Sequence, residues 1–275
     1  MRKQHIMLTA EERVRRYKKE LKQVQMLRWL TLAVFLFLLW RLAPKMDFSM
    51  AAISVVIFIM AMCFLKSMGT NQFALLQQVL HRHCDAIKYT EVMELLAQDP
   101  GKEEKSIRLC LAKGLYFSGR FEEAEQVLDS LYVEKPSVET AMVYRNTSFH
   151  CKLALKKLDE AWEERRETEK LLAAAKKKQR TLVTQQLEIM DAALALEEER
   201  YDDFFPLQEK VLSIPAGSLQ RVAAQYRMAL AELIQGETDS ARDRLEEVVR
   251  KGGSIFLVAD ALELLDSFDS FTEEI

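Results

Sequence analysis

The sequence predicts an all-α chain in which two membrane-spanning helices near the N-terminus precede an array of helical hairpins. Three observations predict it. Two charge-free apolar runs, residues 29–40 and 48–65, lie close together. Only 8 Gly and 5 Pro occur in 275 residues of which 29% are charged, a composition suited to long helices rather than to many tight turns. Beyond residue 72, apolar residues recur at spacings of three and four in blocks separated by short polar turns, the period of an amphipathic helix. The length accommodates one membrane module and one ordinary domain, 72–272.

Residues 1–28 hold nine Lys/Arg against three Glu. Thr9 and Glu12 have the spacing of a capping box, in which hydroxyl and carboxylate satisfy the orphan amides of a helix start, so a helix is expected from about Ala10. Val14, Tyr17, Leu21 and Val24 form an apolar stripe among Arg13, Arg15, Arg16, Lys18, Lys19 and Lys22. Two roles fit: an interfacial helix whose cations meet anionic lipid head groups, at about 1 kcal/mol per basic residue, or a topology signal. A coiled coil is disfavoured because fewer than three or four heptads are present.

The membrane hairpin is placed at 29–66, with spans at 29–43 and 48–65. FSMAAISVVIFIMAMCFL is eighteen residues without a charge, about 27 Å of helix and close to a hydrocarbon core. WLTLAVFLFLLW is shorter and needs Arg28 and Arg41 to snorkel, with Trp29 and Trp40 at the two interfaces. Pro44 breaks the helix between the runs. A cleaved signal peptide is disfavoured, since the first run starts late and a second follows at once. Nine cations precede the first span while the connecting loop has Arg41 and Lys45, so both termini are expected on the cytoplasmic side of a cell membrane. Neither apolar run contains an acid, His or Lys of the kind an ion path requires, which makes the hairpin an anchor.

The unit KSIRLCLAKGLYFSGRFEEAEQVLDSLYVEKP, residues 105–136, reads as a helix, a turn at Gly119, a second helix and a proline stop. Phe121 closes over the turn, Ala124 lets the helices approach, and Leu128 and Leu131 face the next unit. Gly119, Phe121, Ala124, Leu128, Leu131 and Pro136 stand where the tetratricopeptide (TPR) family places its glycine, aromatic, small, apolar and proline residues, and the unit resembles that family. Arg108 and Ala112 depart from it, where the family often has Trp and Gly. The second-helix pattern recurs with Leu158 and Ala161, and again with Gly236, Ala241, Leu245 and Val248. A weaker copy has Tyr201 in place but Phe204 where a small residue belongs, so that hairpin is expected to open or shift. Residues 84–99, around Tyr89, read as a degenerate first unit, and 254–268 as a closing helix, since repeat arrays need atypical ends. Residues 163–180 read as one charged, solvated helix with a basic end. The fold implied is a TPR-like α-solenoid of four to five hairpins following the transmembrane hairpin.

Little in the chain suggests catalysis or cofactors. Catalytic and phosphate-binding signatures such as HExxH, GxSxG, GxxxxGK[ST] and GxGxxG do not occur. His81, His83 and Cys84 are spaced wrongly for a shared metal on a helix and read as surface histidines near the membrane. Adjacency of His150 and Cys151 does not make a nucleophile pair. Cys63, Cys84, Cys110 and Cys151 lack a CxxC pair and read as reduced, mostly buried thiols. Residues 67–275 hold 27 Lys/Arg against 38 Asp/Glu with no basic run to track a phosphate backbone, which disfavours nucleic acid.

The TPR resemblance implies protein binding on a concave face lined by the first helix of each hairpin, with Leu109, Lys113, Tyr116 and Phe117 at groove positions. Tyr116 and Phe117 could equally be contacts between hairpins. The function expected is a membrane-tethered scaffold or adaptor for a cytosolic protein or peptide, with lipid contacts through the hairpin and basic helix. The alternatives are a self-associating homodimer and a membrane-bound enzyme of unfamiliar type. A short hairpin anchor carrying a cytosolic array resembles a bacterial arrangement by analogy alone.

Overall fold

A computed structural model of the chain describes residues 8–42, 48–99, 104–131, 136–213 and 217–272. Among them are twelve helices and no strand, in two compact units, Met1–Gln78 and Val79–Ile275. The expected break at Pro44 and the loop residue Lys45 lie outside the described residues.

The first unit is built on α1 (Ala10–Leu42) and α2 (Phe48–His81), both long and apolar enough to cross a membrane. Thr9 and Glu12 form the capping box: the Thr9 N–H donates to Glu12 Oε2 at 2.9 Å and the Glu12 N–H to Thr9 Oγ1 at 3.3 Å. From there α1 runs without a break through the basic stretch and the apolar run, about 50 Å in all. The apolar stripe is covered within the unit, with Val14, Tyr17 and Val24 buried. Tyr17 packs on Phe73 with ring centroids 6.3 Å apart, and Leu21 and Val24 lie beside Gly69. What the sequence concealed is that α2 continues well past the charge-free run and so supplies the partner for that stripe. Further along, the Arg28 guanidinium donates to the Leu65 carbonyl at 3.3 Å and Phe35 stacks on Phe58 at 4.1 Å, pairings that make the helices antiparallel. Their apolar side chains face outward: Trp29, Trp40, Ile53 and Phe64 are all more than half exposed, unlike those of a helix in a soluble core.

The second unit is built on one turn used repeatedly. After the end of α2 come α3 (Ala86–Ala97), α4 (Glu104–Phe117), α5 (Phe121–Asp129), α6 (Val138–Ala154) and α7 (Leu158–Ala174). Next are α8 (Lys177–Glu197), α9 (Tyr201–Ser213), α10 (Ser218–Ile234), α11 (Thr238–Lys251) and α12 (Phe256–Thr272). Two residues beyond the ends of α4, α6, α8 and α10 stands a residue at positive φ: Gly119, Lys156, Glu199 and Gly236. The next N–H then bonds back to a carbonyl five residues earlier, Arg120 to Leu115, Lys157 to Lys152, Arg200 to Ala195 and Glu237 to Glu232, at 2.8–2.9 Å. This is a Schellman cap, which reverses the chain while satisfying carbonyls the helix leaves orphaned. In each case that residue's own carbonyl starts the next helix by accepting from Ala124, Ala161, Phe204 or Ala241.

Those four residues are fully buried, and their sizes are matched across the hairpin. Phe204, expected to force its hairpin open, instead packs against Ala192 and Ala195 of α8, and α8 and α9 remain packed together. At the start of the unit, Tyr89 takes the same place after the turn at Cys84, which also has positive φ. Facing it is Gly114, where an added Cβ would lie 3.0 Å from the Tyr89 ring and 2.7 Å from Thr90 Oγ1. A large residue on one helix is accommodated by a small one opposite, as close packing requires.

Two helix boundaries correct the sequence reading. The charged stretch 163–180 is not one helix, because α7 stops at Ala174 and Ala175 is extended and buried. The new helix is capped by Gln179 Oε1 accepting from the Lys176 N–H at 2.8 Å, with no Gly or Pro to announce the break. The helix after Gly119 ends at Asp129, well before Pro136. There the Ser130 hydroxyl bonds the Val127 carbonyl at 2.7 Å, a local bond that competes with the helix.

The last turn of the unit meets the first. The Ser254 N–H donates to the Cys84 carbonyl at 3.0 Å, the Ser254 hydroxyl donates to Asp85 Oδ1 at 3.0 Å, and the Ile87 N–H donates to Ser254 Oγ at 3.2 Å. Gly253 has φ +61° and an added Cβ would stand 2.7 Å from the Cys84 carbonyl oxygen, so Gly253→Ala is expected to lower stability by about 2–3 kcal/mol. Exposed Glu199 also has positive φ, and Glu199→Gly should raise stability by about 1 kcal/mol. Denaturant unfolding of the full chain in nanodiscs checks both signs.

Candidate functional site

The helices that open the hairpins, α4, α6, α8 and α10, turn one face each toward a shared cavity of about 350 Å3, and the end of α2, Phe121 of α5, Val211 of α9 and the start of α12 complete its wall. The turn geometry is the cause: with each hairpin beginning in the same register, equivalent faces of successive first helices come together. Lys113, Tyr116 and Phe117 all line it. Leu109 does not. It is buried with Leu115, Ala124 and Leu128 in the core between hairpins.

Tyr116 is a contact between elements rather than an open anchor. It is 8% exposed, stands edge-on to Phe117 at 4.9 Å and to Phe256 of α12 at 5.6 Å, and lies over the His150 ring at 5.9 Å. Phe256 also packs on Phe121 at 5.0 Å. The closing helix thus occupies part of the inner face, and Tyr226 of α10 donates to Asp260 of α12 at 3.4 Å.

The polar groups of the cavity are unusual in how they are paired. Lys113 Nζ lies 3.1 Å from His81 Nε2, and an Arg227 guanidinium nitrogen lies 3.4 Å from His150 Nδ1. Two cations thus have imidazoles as hydrogen-bond partners. Burial pulls the Lys113 ammonium down to about 8 and lowers Arg227. His150 is held well below its ordinary range, first by burial and then by the charges of Arg227 and Lys113. Lys113, His81, His150 and Arg227 all line the one cavity. Of the carboxylates at the wall, Glu197 pairs with Lys156 at 3.1 Å while its charge offsets part of the burial cost of Arg227, and Asp260 accepts from Tyr226. Outside the cavity, buried carboxylates face cations: Glu164 accepts from Arg145 at 2.8 Å and Lys152 at 3.0 Å, and Glu232 from Arg244 at 2.7 Å.

His81 therefore corrects its reading as a surface histidine, although the neighbouring His83 is exposed. His150, Arg227, Tyr226 and Asp260 were not foreseen. Their one signal was a charged or polar residue within an otherwise apolar helix stripe, which says nothing about convergence across more than a hundred residues. Cys84, Cys110 and Cys151 are buried and Cys63 is exposed. No group of three or more His, Cys, Asp and Glu converges among the described residues. Of the basic set on α1, Arg15, Arg16, Lys19 and Lys22 are exposed or nearly so and Lys18 partly so, whereas Arg13 is buried and bonds the Leu8 carbonyl at 3.4 Å.

Comparison of the chain with protein-family models, with curated proteins and with solved structures returns no match.

Between pH 8 and its ordinary value of 10.5, Lys113 holds fewer protons in the folded protein than in the unfolded chain. Its contribution to stability therefore rises with pH across that window. The difference in unfolding free energy between the wild type and Lys113→Met should shrink from pH 7.5 to pH 10.5, as followed by denaturant titration. A difference independent of pH would show that Lys113 is not desolvated.

Proposed function

We propose that the chain is a membrane-tethered adaptor whose TPR-like array of hairpins recruits a protein or peptide partner on the cytoplasmic side. One observation carries the reading: the first helices of successive hairpins present equivalent faces to one cavity. In the TPR family that face is the recognition surface. The outward apolar surfaces of α1 and α2 support the anchor, and the excess of N-terminal cations supports cytoplasmic termini. Exposure of Arg15, Arg16, Lys19 and Lys22 supports a contact with anionic head groups, while Tyr17, Leu21 and Val24 pack against α2. Because Phe256 and Leu257 occupy part of the inner face, the segment bound is a short one.

Phe117 is the better probe of this face than Tyr116, whose removal would also open the core. Cross-linking and pull-down from intact membranes with Phe117→Ala and Leu230→Ala together should lose one specific cytosolic protein captured by the wild type. Recovery of an unchanged set, or of the chain itself alone, would contradict the adaptor and favour self-association.

A further inference from the structure

The cavity has features that a groove for main-chain recognition does not require. Lys113 comes from α4 and Arg227 from α10, and both line the cavity with His81 and His150. Each hydrogen-bonds an imidazole where Glu164 and Glu232 show that the same fold elsewhere pairs its cations with buried carboxylates. A cation drawn into a partly closed cavity beside a neutral group loses hydration; no carboxylate offsets this at Lys113, and at Arg227 the charge of Glu197 offsets it only in part, since burial still lowers that group. Such an arrangement lowers the stability of the empty protein, and it is the kind of feature retained where a ligand supplies the missing charge.

We propose that this cavity binds a small organic anion, with its carboxylate or phosphate group between Lys113 and Arg227 beside His150 and its apolar body against Phe117, Leu153 and Leu230. The volume of about 350 Å3 lies within the range of small-molecule sites. The wall offers what such a ligand needs: charge at one place, from donors that bind oxyanions well, and aromatic and aliphatic surface beside it. Phe256 and Leu257 of α12 form part of the wall, which takes up inner-face space and favours a small molecule over an extended chain. Binding of the anion does not depend on whether the chain also recruits a protein.

The test uses the full chain in neutral phosphatidylcholine nanodiscs, with thermal unfolding followed by intrinsic fluorescence. Benzoate and phenyl phosphate are the probes and benzamide the uncharged control. At least one anion should raise the Tm of the wild type saturably at millimolar concentration, as a ligand of the folded state does, and benzamide should not. Lys113→Met and Arg227→Met should each weaken that response at least tenfold, and Lys113→Arg should keep it. Without ligand, both Met variants should unfold at the same temperature as the wild type or higher. Three results would overturn the proposal: no saturable shift with either anion, an equal shift with benzamide, or a lower Tm for both Met variants without ligand. The last would show that the cations serve the fold.

Discussion

The architecture of Val79–Ile275 depends on one backbone conformation, a single residue at positive φ at the end of each first helix. Gly119 and Gly236 adopt it freely, and Lys156 and Glu199 adopt it against the steric preference of L-residues. They do so because the turn closes two hydrogen bonds to carbonyls that would otherwise be orphaned, and because it delivers the next helix in register onto its buried residue. Moving any of these turns by one residue would rotate the second helix by about 100° and bury its polar face.

Register then propagates into packing and from packing into the cavity. Since each hairpin starts alike, the faces of α4, α6, α8 and α10 fall on one side, where Lys113, His150 and Arg227 line one cavity. The residues after each turn differ widely in size, from Ala124 to Phe204 and Tyr89, yet the spacing holds because Ala192, Ala195 and Gly114 yield the room. Contact between the Ser254 and Cys84 turns fixes the last hairpin relative to the first, and α12 is thereby brought over Tyr116.

Much of this was legible in the sequence where a residue type is tied to one conformation. Gly119 and Gly236 mark their turns, Thr9 and Glu12 mark a helix start, and the apolar runs mark α1 and α2. The turns at Lys156 and Glu199 were legible only through the residues after them, Leu158 with Ala161 and Tyr201. The break at Ala175 was not legible, because an Ala-rich, charged stretch favours helix on both sides and the interruption is set by packing. The site was half legible. Lys113 and Phe117 sit at predictable positions on their helix, but the role of Arg227 and His150 depends on contacts across 77 residues of chain, and no local pattern encodes those.

The closure between the last and first turns matters most, because that contact holds the inner faces around one cavity. Amide hydrogen exchange of the full chain in nanodiscs, read at Ser254 and Ile87, tests it most directly. Both N–H groups should be protected to the level of the neighbouring helices, since they donate to the Cys84 carbonyl and to Ser254 Oγ. Exchange at the rate of an open loop would contradict the closure, and with it the shared cavity.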